Sequence, residues 1–412
     1  MGCDMKLKRF FTLILAFALC IAIFAPSAAM AQSSQTLMEN YDSYAVFSQF
    51  IEANPSRVAG TVGENYAANW IYTVLNGFGY DVRMQTFTYF DGSSTQMSQN
   101  VAARMDNGKE YDIIIGAHYD CAAIGEGADD NASGVTALLL TAYALKDVKN
   151  LPYNIVIVAF GAEEPGLFGS TYYVKQMGEK SKASTAMMIN FDSIGMGDYL
   201  YIYGEDVKTE YASTFLAAAQ NYYSFKGYEQ KVYAKPLGKG IMMNIQVQFS
   251  TVYPYYQTAQ ASDHSPFRAE GIATTFFFAG NYSTSTLGYV QSQNQAFNVM
   301  HTKDDTAEYI AQNRGIDFAQ KIEIVSSTVV NVLTNSAFEN IIINARQELV
   351  PDFWLSVWPA AIIVFFLVVG VIIFSVLYLK KLNKRSLIED VEVKTEKVFK
   401  AQSGEDIYDF LK

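Results

Sequence analysis

Three short apolar runs in this chain are each followed by a side chain able to bind a metal or move a proton, and that pairing constrains the fold more than any other feature. Asp112-Ile113-Ile114-Ile115-Gly116 leads to His118, Asn154–Phe160 leads to Glu163 and Glu164, and Ala186–Phe191 leads to Asp192. Runs of five to seven residues rich in β-branched and aromatic side chains read as buried strands. Val135–Leu145 and Gly166–Met177 read as helices between them, and Thr274–Phe278 as a further strand after an irregular, aromatic-rich stretch. Strands alternating with helices predict an α/β/α sandwich with a mostly parallel central sheet. Ligands of such sheets gather beyond the carboxyl ends of the strands. The four polar side chains are therefore expected to share one edge.

The two ends of the chain speak of location. Lys6, Lys8 and Arg9 precede the apolar run Phe10–Phe24, and Ala29-Met30-Ala31 follows. This is the pattern of a signal peptide over residues 1–31, cleaved before Gln32. Phe353–Leu379 holds 27 residues without a charge, long enough to cross about 30 Å of hydrocarbon as one C-terminal transmembrane helix. Trp354, Trp358 and Tyr378 lie near its two ends, and Lys380, Lys381, Lys384 and Arg385 follow. Basic residues favour the cytoplasmic side. Residues 32–350 are thus expected outside the cell membrane and 380–412 as a cytoplasmic tail.

Charge and cysteine content narrow the partners. The first 31 residues carry +2 and residues 354–412 carry +1, so with −11 overall residues 32–353 carry −14. Such a surface repels nucleic acid. Cys3 and Cys20 fall in the expected signal peptide, so Cys121 stands alone and no disulfide can form within the mature chain. The oligomeric state has no signature in the sequence.

Imidazole and carboxylate donors at strand ends suit a divalent ion such as zinc, bound at about 2.0–2.2 Å. Asp130, just ahead of Asn131-Ala132-Ser133-Gly134, has two oxygens with which to bridge two ions. Read alone, Asp129 and Asp130 fit equally well as caps of the helix that follows.

Taken together, Arg57-Val58-Ala59-Gly60-Thr61, GAHYD, GADDNASG, FGAEEPGLFGS, NFDSIG, SDHSPFRAEGI and HTKDDT resemble, in that order, the M28 family of zinc metallopeptidases of the bacterial aminopeptidase type. The resemblance implies the zinc-peptidase, phosphorylase/hydrolase-like fold and two Zn²⁺ ions. His118, Asp130 and Asp192 would hold one, and Asp130, Glu164 and His301 the other. Glu163 would be the general base. Asp120 would orient His118 through its second ring nitrogen, with Asp305 playing that part near His301. Ser262-Asp263-His264 matches a family stretch, where His264 either supports the transition state or bonds a loop. The implied activity is removal of N-terminal residues from peptides or proteins.

Gly271-Ile272-Ala273 stands where bacterial relatives often have Gly-Ile-Pro, and the path from Phe278 to His301 is longer than usual, so the substrate pocket is expected to differ; Tyr253, Tyr255 and Tyr256 either line that pocket or its rim or belong to the core. A glutaminyl cyclase-like acyltransferase and an M28 carboxypeptidase are the rival enzymes. A non-enzymatic binding ectodomain is the rival from another class.

Overall fold

The strands Asn154–Phe160, Thr185–Phe191 and Thr274–Gly280 of the computed structural model are buried at every residue. Successive strand side chains point to opposite faces, so both faces of this sheet are covered. The structure describes residues 42–205, 209–226, 232–237, 262–281, 291–349, 366–369 and 371–373. The expected signal peptide, Tyr253, Tyr255, Tyr256, the tail from 380 and all but seven residues of the 353–379 run lie outside the described residues. Among the described residues no helix is long and apolar enough to cross a membrane. The chain divides into two units, Met1–Asn344 and Ala345–Lys412, and the sheet belongs to the first.

In chain order the elements are α1 (Ser43–Ala53), α2 (Val62–Gly77), β1 (Asp81–Phe90), β2 (Thr95–Met105), β3 (Asp112–His118), α3 (Gly134–Leu145), β4 (Asn154–Phe160), α4 (Phe168–Gln176), α5 (Glu179–Ser184), β5 (Thr185–Phe191), β6 (Tyr199–Glu205), α6 (Thr209–Lys226), β7 (Val232–Leu237), α7 (His264–Ala269), β8 (Thr274–Gly280), α8 (Ala307–Asn313), α9 (Gly315–Leu333) and α10 (Ser336–Leu349). The eight strands form one sheet in the order β1-β2-β4-β3-β5-β8-β6-β7.

The centre, β4-β3-β5-β8, is parallel. With β6 and β7, also parallel, four of the seven pairings agree with the expected mostly parallel sheet, and the flanks add three antiparallel ones. β1 pairs antiparallel with β2, β2 with β4, and β6 with β8. A four-residue connection at Asp91–Ser94 can only return the chain antiparallel, and Asp91 Oδ1 fastens it by accepting from the Ser93 and Ser94 N–H groups at 2.8 Å. Burial along β1 is partial, with Val82, Phe87 and Tyr89 inward and exposed residues between them. That mixed pattern concealed the strand, whereas the fully apolar central runs announced themselves.

On one face Ile114, Val156, Val158, Phe160 and Met188 pack against Val174 of α4 and Phe267 of α7. A second helical layer holds α3, which packs on β3, β4 and β5 and is itself covered by α9. Leu138, Leu139 and Leu140 of α3 are fully buried. Each such side chain contributes about 1.5–3 kcal/mol, enough to fix α3 and the irregular turn that leads into it.

Candidate active site

The carboxyl ends of β3, β4 and β5 deliver His118, the Gly161–Glu164 turn and Asp192 to one edge. Asp130 comes from the irregular segment Ala128–Ser133 ahead of α3, where its φ and ψ of −108° and 88° are not helical and its peptide bond to Asn131 is cis. His301 adopts a left-handed backbone, φ +55°, before α8.

Two donor sets result. His118 Nε2 lies 3.3 Å from both Asp130 Oδ1 and Asp192 Oδ1. His301 Nε2 lies 3.1 Å from both Asp130 Oδ2 and Glu164 Oε2. Asp130 therefore turns one oxygen to each imidazole. Glu163 groups with His118 and Asp192, its nearest donor within 4.8 Å of theirs.

The spacing and charge of these donors fit zinc. Ligands about 2.0–2.1 Å from a tetrahedral ion stand roughly 3.3 Å apart, close to the separations seen. Glu164 Oε1 is buried without a hydrogen-bond partner among the described residues. Hydrogen bonds to Asp130 and Glu164 raise His301 to about 11. Burial disfavours a charged His118, yet Glu163, Asp192, Asp120 and Asp130 together push its pKa well above the usual imidazole range. Burial, and then the neighbouring charges of Asp263, Asp192 and Asp120 against the pull of His118, lift Glu163 well above an ordinary carboxyl. Acids outnumber imidazoles here, and the excess negative charge suits a divalent cation.

Of the supporting residues, Asp120 stands at the second ring nitrogen of His118, as expected, but with its backbone oxygen nearer Nδ1, at 3.3 Å, than its carboxylate, at 3.6 Å. That carboxylate accepts from the Glu163 and Glu164 N–H groups at 3.0 and 3.1 Å. Asp305, expected to orient His301, makes no hydrogen bond to it among the described residues. Its carboxylate accepts from the N–H groups of Asp129 and Asp130 at 2.6 and 3.2 Å and so orients the segment that carries Asp130. Both acids answer backbone donors exposed by tight turns, a demand that spacing in sequence does not reveal.

His264 is fully buried in the first turn of α7, stacked on Phe276 with ring centroids 4.4 Å apart. Neither it nor Cys121 belongs to a donor set. Asp263 is raised to about 7 by burial, against the pull of His118. The buried Arg57 guanidinium donates to the carbonyls of Tyr119, Asn54, Glu126 and Gly127 at 2.7–3.1 Å. It thereby ties the loops after His118 and before Asp130.

Sequence reasoning missed Gln291. Its amide nitrogen donates to Asp129 Oδ2 at 2.7 Å and its amide oxygen accepts from the Met300 N–H at 2.7 Å. Asp129 also accepts from the N–H groups of Gly195 and Met196 at 2.9 and 3.1 Å. Asp129, read from sequence as a helix cap, cross-links the loops carrying Asp130, Asp192 and His301.

The model of Peptidase family M28 matches residues 100–323, more than half of the chain and all the donors above. The chain belongs to peptidase family M28. Leupeptin-inactivating enzyme 1 of Streptomyces exfoliatus is 30% identical over 289 residues, 68% of this chain and 58% of that protein. Aminopeptidase YwaD of Bacillus subtilis is 29% identical over 224 residues, 54% of this chain and 42% of that protein. The chain thus spans about half the length of these relatives. Among solved structures, BSAP, a zinc aminopeptidase from Bacillus subtilis, superposes with a TM-score of 0.54 at 19% identity, covering 70% of this chain and 94% of that one. Porphyromonas gingivalis glutaminyl cyclase superposes at 0.52 and 21% identity, covering 71% and 96%. At these identities the likeness is one of fold.

Proposed function

We propose that this M28 member is a membrane-anchored, extracytoplasmic di-zinc aminopeptidase with Glu163 as its general base. The observation that carries the reading is the division of Asp130, one oxygen toward His118 at 3.3 Å and the other toward His301 at 3.1 Å. His118, Asp130 and Asp192 would hold one zinc, and Asp130, Glu164 and His301 the other. Zinc, when bound at such a site, acidifies water and stabilises developing negative charge on a carbonyl oxygen. The Glu163 carboxylate takes a proton from the attacking water and passes it to the leaving amine nitrogen. The aminopeptidase names among the relatives favour the amino end over the carboxyl end.

The test is zinc content and hydrolysis by the full-length protein. About two zinc ions per chain, cleavage of unblocked aminoacyl anilides, silence on N-acetylated ones, and loss of activity with a chelator are expected. One zinc, with conversion of N-terminal glutamine to pyroglutamate that stays on the peptide and release of ammonia, would replace the reading by a cyclase. Release of residues from the carboxyl end of N-blocked peptides would replace it by a carboxypeptidase.

The anchoring part rests on the charge-free Phe353–Leu379 run. It is supported by its helical described pieces, whose Phe366, Leu367, Val368, Val371, Ile372 and Ile373 are 52–66% exposed. Protease added to intact cells should shed the catalytic unit and spare a carboxyl-terminal tag; protection of the former and loss of the latter would reverse the topology.

A further inference from the structure

The turn that presents Glu163 and Glu164 is strained and heavily held. Ala162 has a φ of +51°, a left-handed conformation that alanine adopts only when its surroundings impose it. The four consecutive N–H groups from Gly161 to Glu164 all donate to side-chain oxygens. Gly161 reaches Asn100 Oδ1 at 3.2 Å, Ala162 reaches Glu64 Oε1 at 3.0 Å, and Glu163 and Glu164 reach the two oxygens of Asp120 at 3.0 and 3.1 Å. The acceptors come from β2, α2 and the residues after β3, and all three are at most 2% exposed. On its other side the turn is closed by the Glu163 carbonyl, which accepts from Gly166 and Leu167 at 2.8 and 2.7 Å.

Glu64 has an ordinary explanation as the third residue of α2, where Thr61-Val62-Gly63-Glu64 has the sequence of a capping box, although the Glu64 carboxylate bonds the residue before the cap and not the Thr61 N–H. One oxygen does serve that end, accepting from the Gly60 N–H at 2.7 Å. The other leaves the helix altogether, accepting from Ser98 Oγ at 2.6 Å as well as from Ala162. A Cβ at Gly161 would fall 2.4 Å from Ser98 Oγ and 2.9 Å from Glu64 Oε1. The residue at 161 is the one that lets this carboxylate approach. Asn100 is fixed in turn by donating to the Gly169 carbonyl and to Gln85, both at 2.9 Å.

We propose that Glu64, with Asn100, is a positioning residue for the Glu163-Glu164 turn, holding Ala162 left-handed so that adjacent glutamates diverge to the two donor sets. The inference rests on the peptidase reading for its effect on rate, though not for its effect on the backbone. Without the acceptor, Ala162 relaxes toward a right-handed conformation and carries Glu163 away from the His118 side.

The experiment compares Glu64→Leu with Glu64→Gln in the full-length protein. Gln keeps an oxygen for the Ala162 N–H and loses the charge and the bond to Gly60; Leu keeps no acceptor. Glu64→Leu should lower kcat about 10²-fold, the scale of a misplacement near 1 Å, with KM changed by less than about threefold, and Glu64→Gln should restore all but about fivefold of that loss. Hydrogen exchange of the peptide spanning Phe160–Leu167 should quicken in the Leu variant alone. Equal loss in both variants that follows their melting temperatures, or unchanged exchange in Glu64→Leu, would overturn the assignment. Quickened exchange in a protein whose wild type cleaves no peptide would sink the peptidase reading and leave the positioning role standing. Should Glu64→Leu fail to fold, the pair Asn100→Leu and Asn100→Asp makes the same comparison one residue earlier, with the same outcomes.

Discussion

Glu163→Gln is expected to lower turnover by about 10²- to 10⁴-fold, the usual contribution of a positioned proton carrier, with zinc content unchanged. The amide keeps the shape and cannot accept the proton. The four other acids and imidazoles nearest the two sites, Asp130, Glu164, His118 and His301, retain their mutual spacings of 3.1–3.3 Å, and Asp192 keeps its 3.3 Å approach to His118. Metal analysis decides between two roles, because Glu163 also lies within 4.8 Å of the His118 and Asp192 donors. Loss of one zinc equivalent from Glu163→Gln would make it a ligand, and full activity would remove it from the reaction. KM should move little, since the group acts on the transferring proton more than on the bound ground state.

The second large effect belongs to Asp130→Asn. The carboxylate is buried, and burial alone would raise its pKa; hydrogen bonds from His118 and His301 win and hold it well below the ordinary range. Replacing one oxygen by an NH₂ group removes a charge and points donors at an imidazole already facing it at 3.1 or 3.3 Å. Zinc affinity should fall by at least the roughly 10- to 100-fold that follows loss of a supporting contact. Activity should fall with the metal and recover in part with excess zinc. The melting temperature should drop too, because an ion bound only by the folded state stabilises it by about 2.7 kcal/mol at 100 times its Kd. A variant with two tightly held ions and wild-type turnover would return Asp130 to the role of a helix cap.

The central strands were legible because they are locally extreme. Asn154–Phe160 has the bounds in the structure that its apolar run predicts, and Thr185–Phe191 differs by one residue. Burial on both faces leaves no polar alternation to confuse the pattern. The flanking strands were not legible, since β1 mixes Val82, Phe87 and Tyr89 with exposed polar residues and its identity depends on the partner it meets.

The same divide runs through the site. Sequence alone determined which residue types stand at the ends of β3, β4 and β5, because strand direction and a shared sheet edge follow from local patterning. It also supplied the candidates Asp130 and His301. Only the tertiary structure decided that Asp130 faces both imidazoles, that Asp305 holds Asp129 and Asp130 from 175 or more residues away, and that Glu64 reaches Ala162 across 98 residues. The last two are bonds to backbone N–H groups stranded in tight turns. Every residue type but proline carries that donor, so nothing in the one-dimensional chain marks which turn will need a carboxylate or which distant carboxylate will reach it.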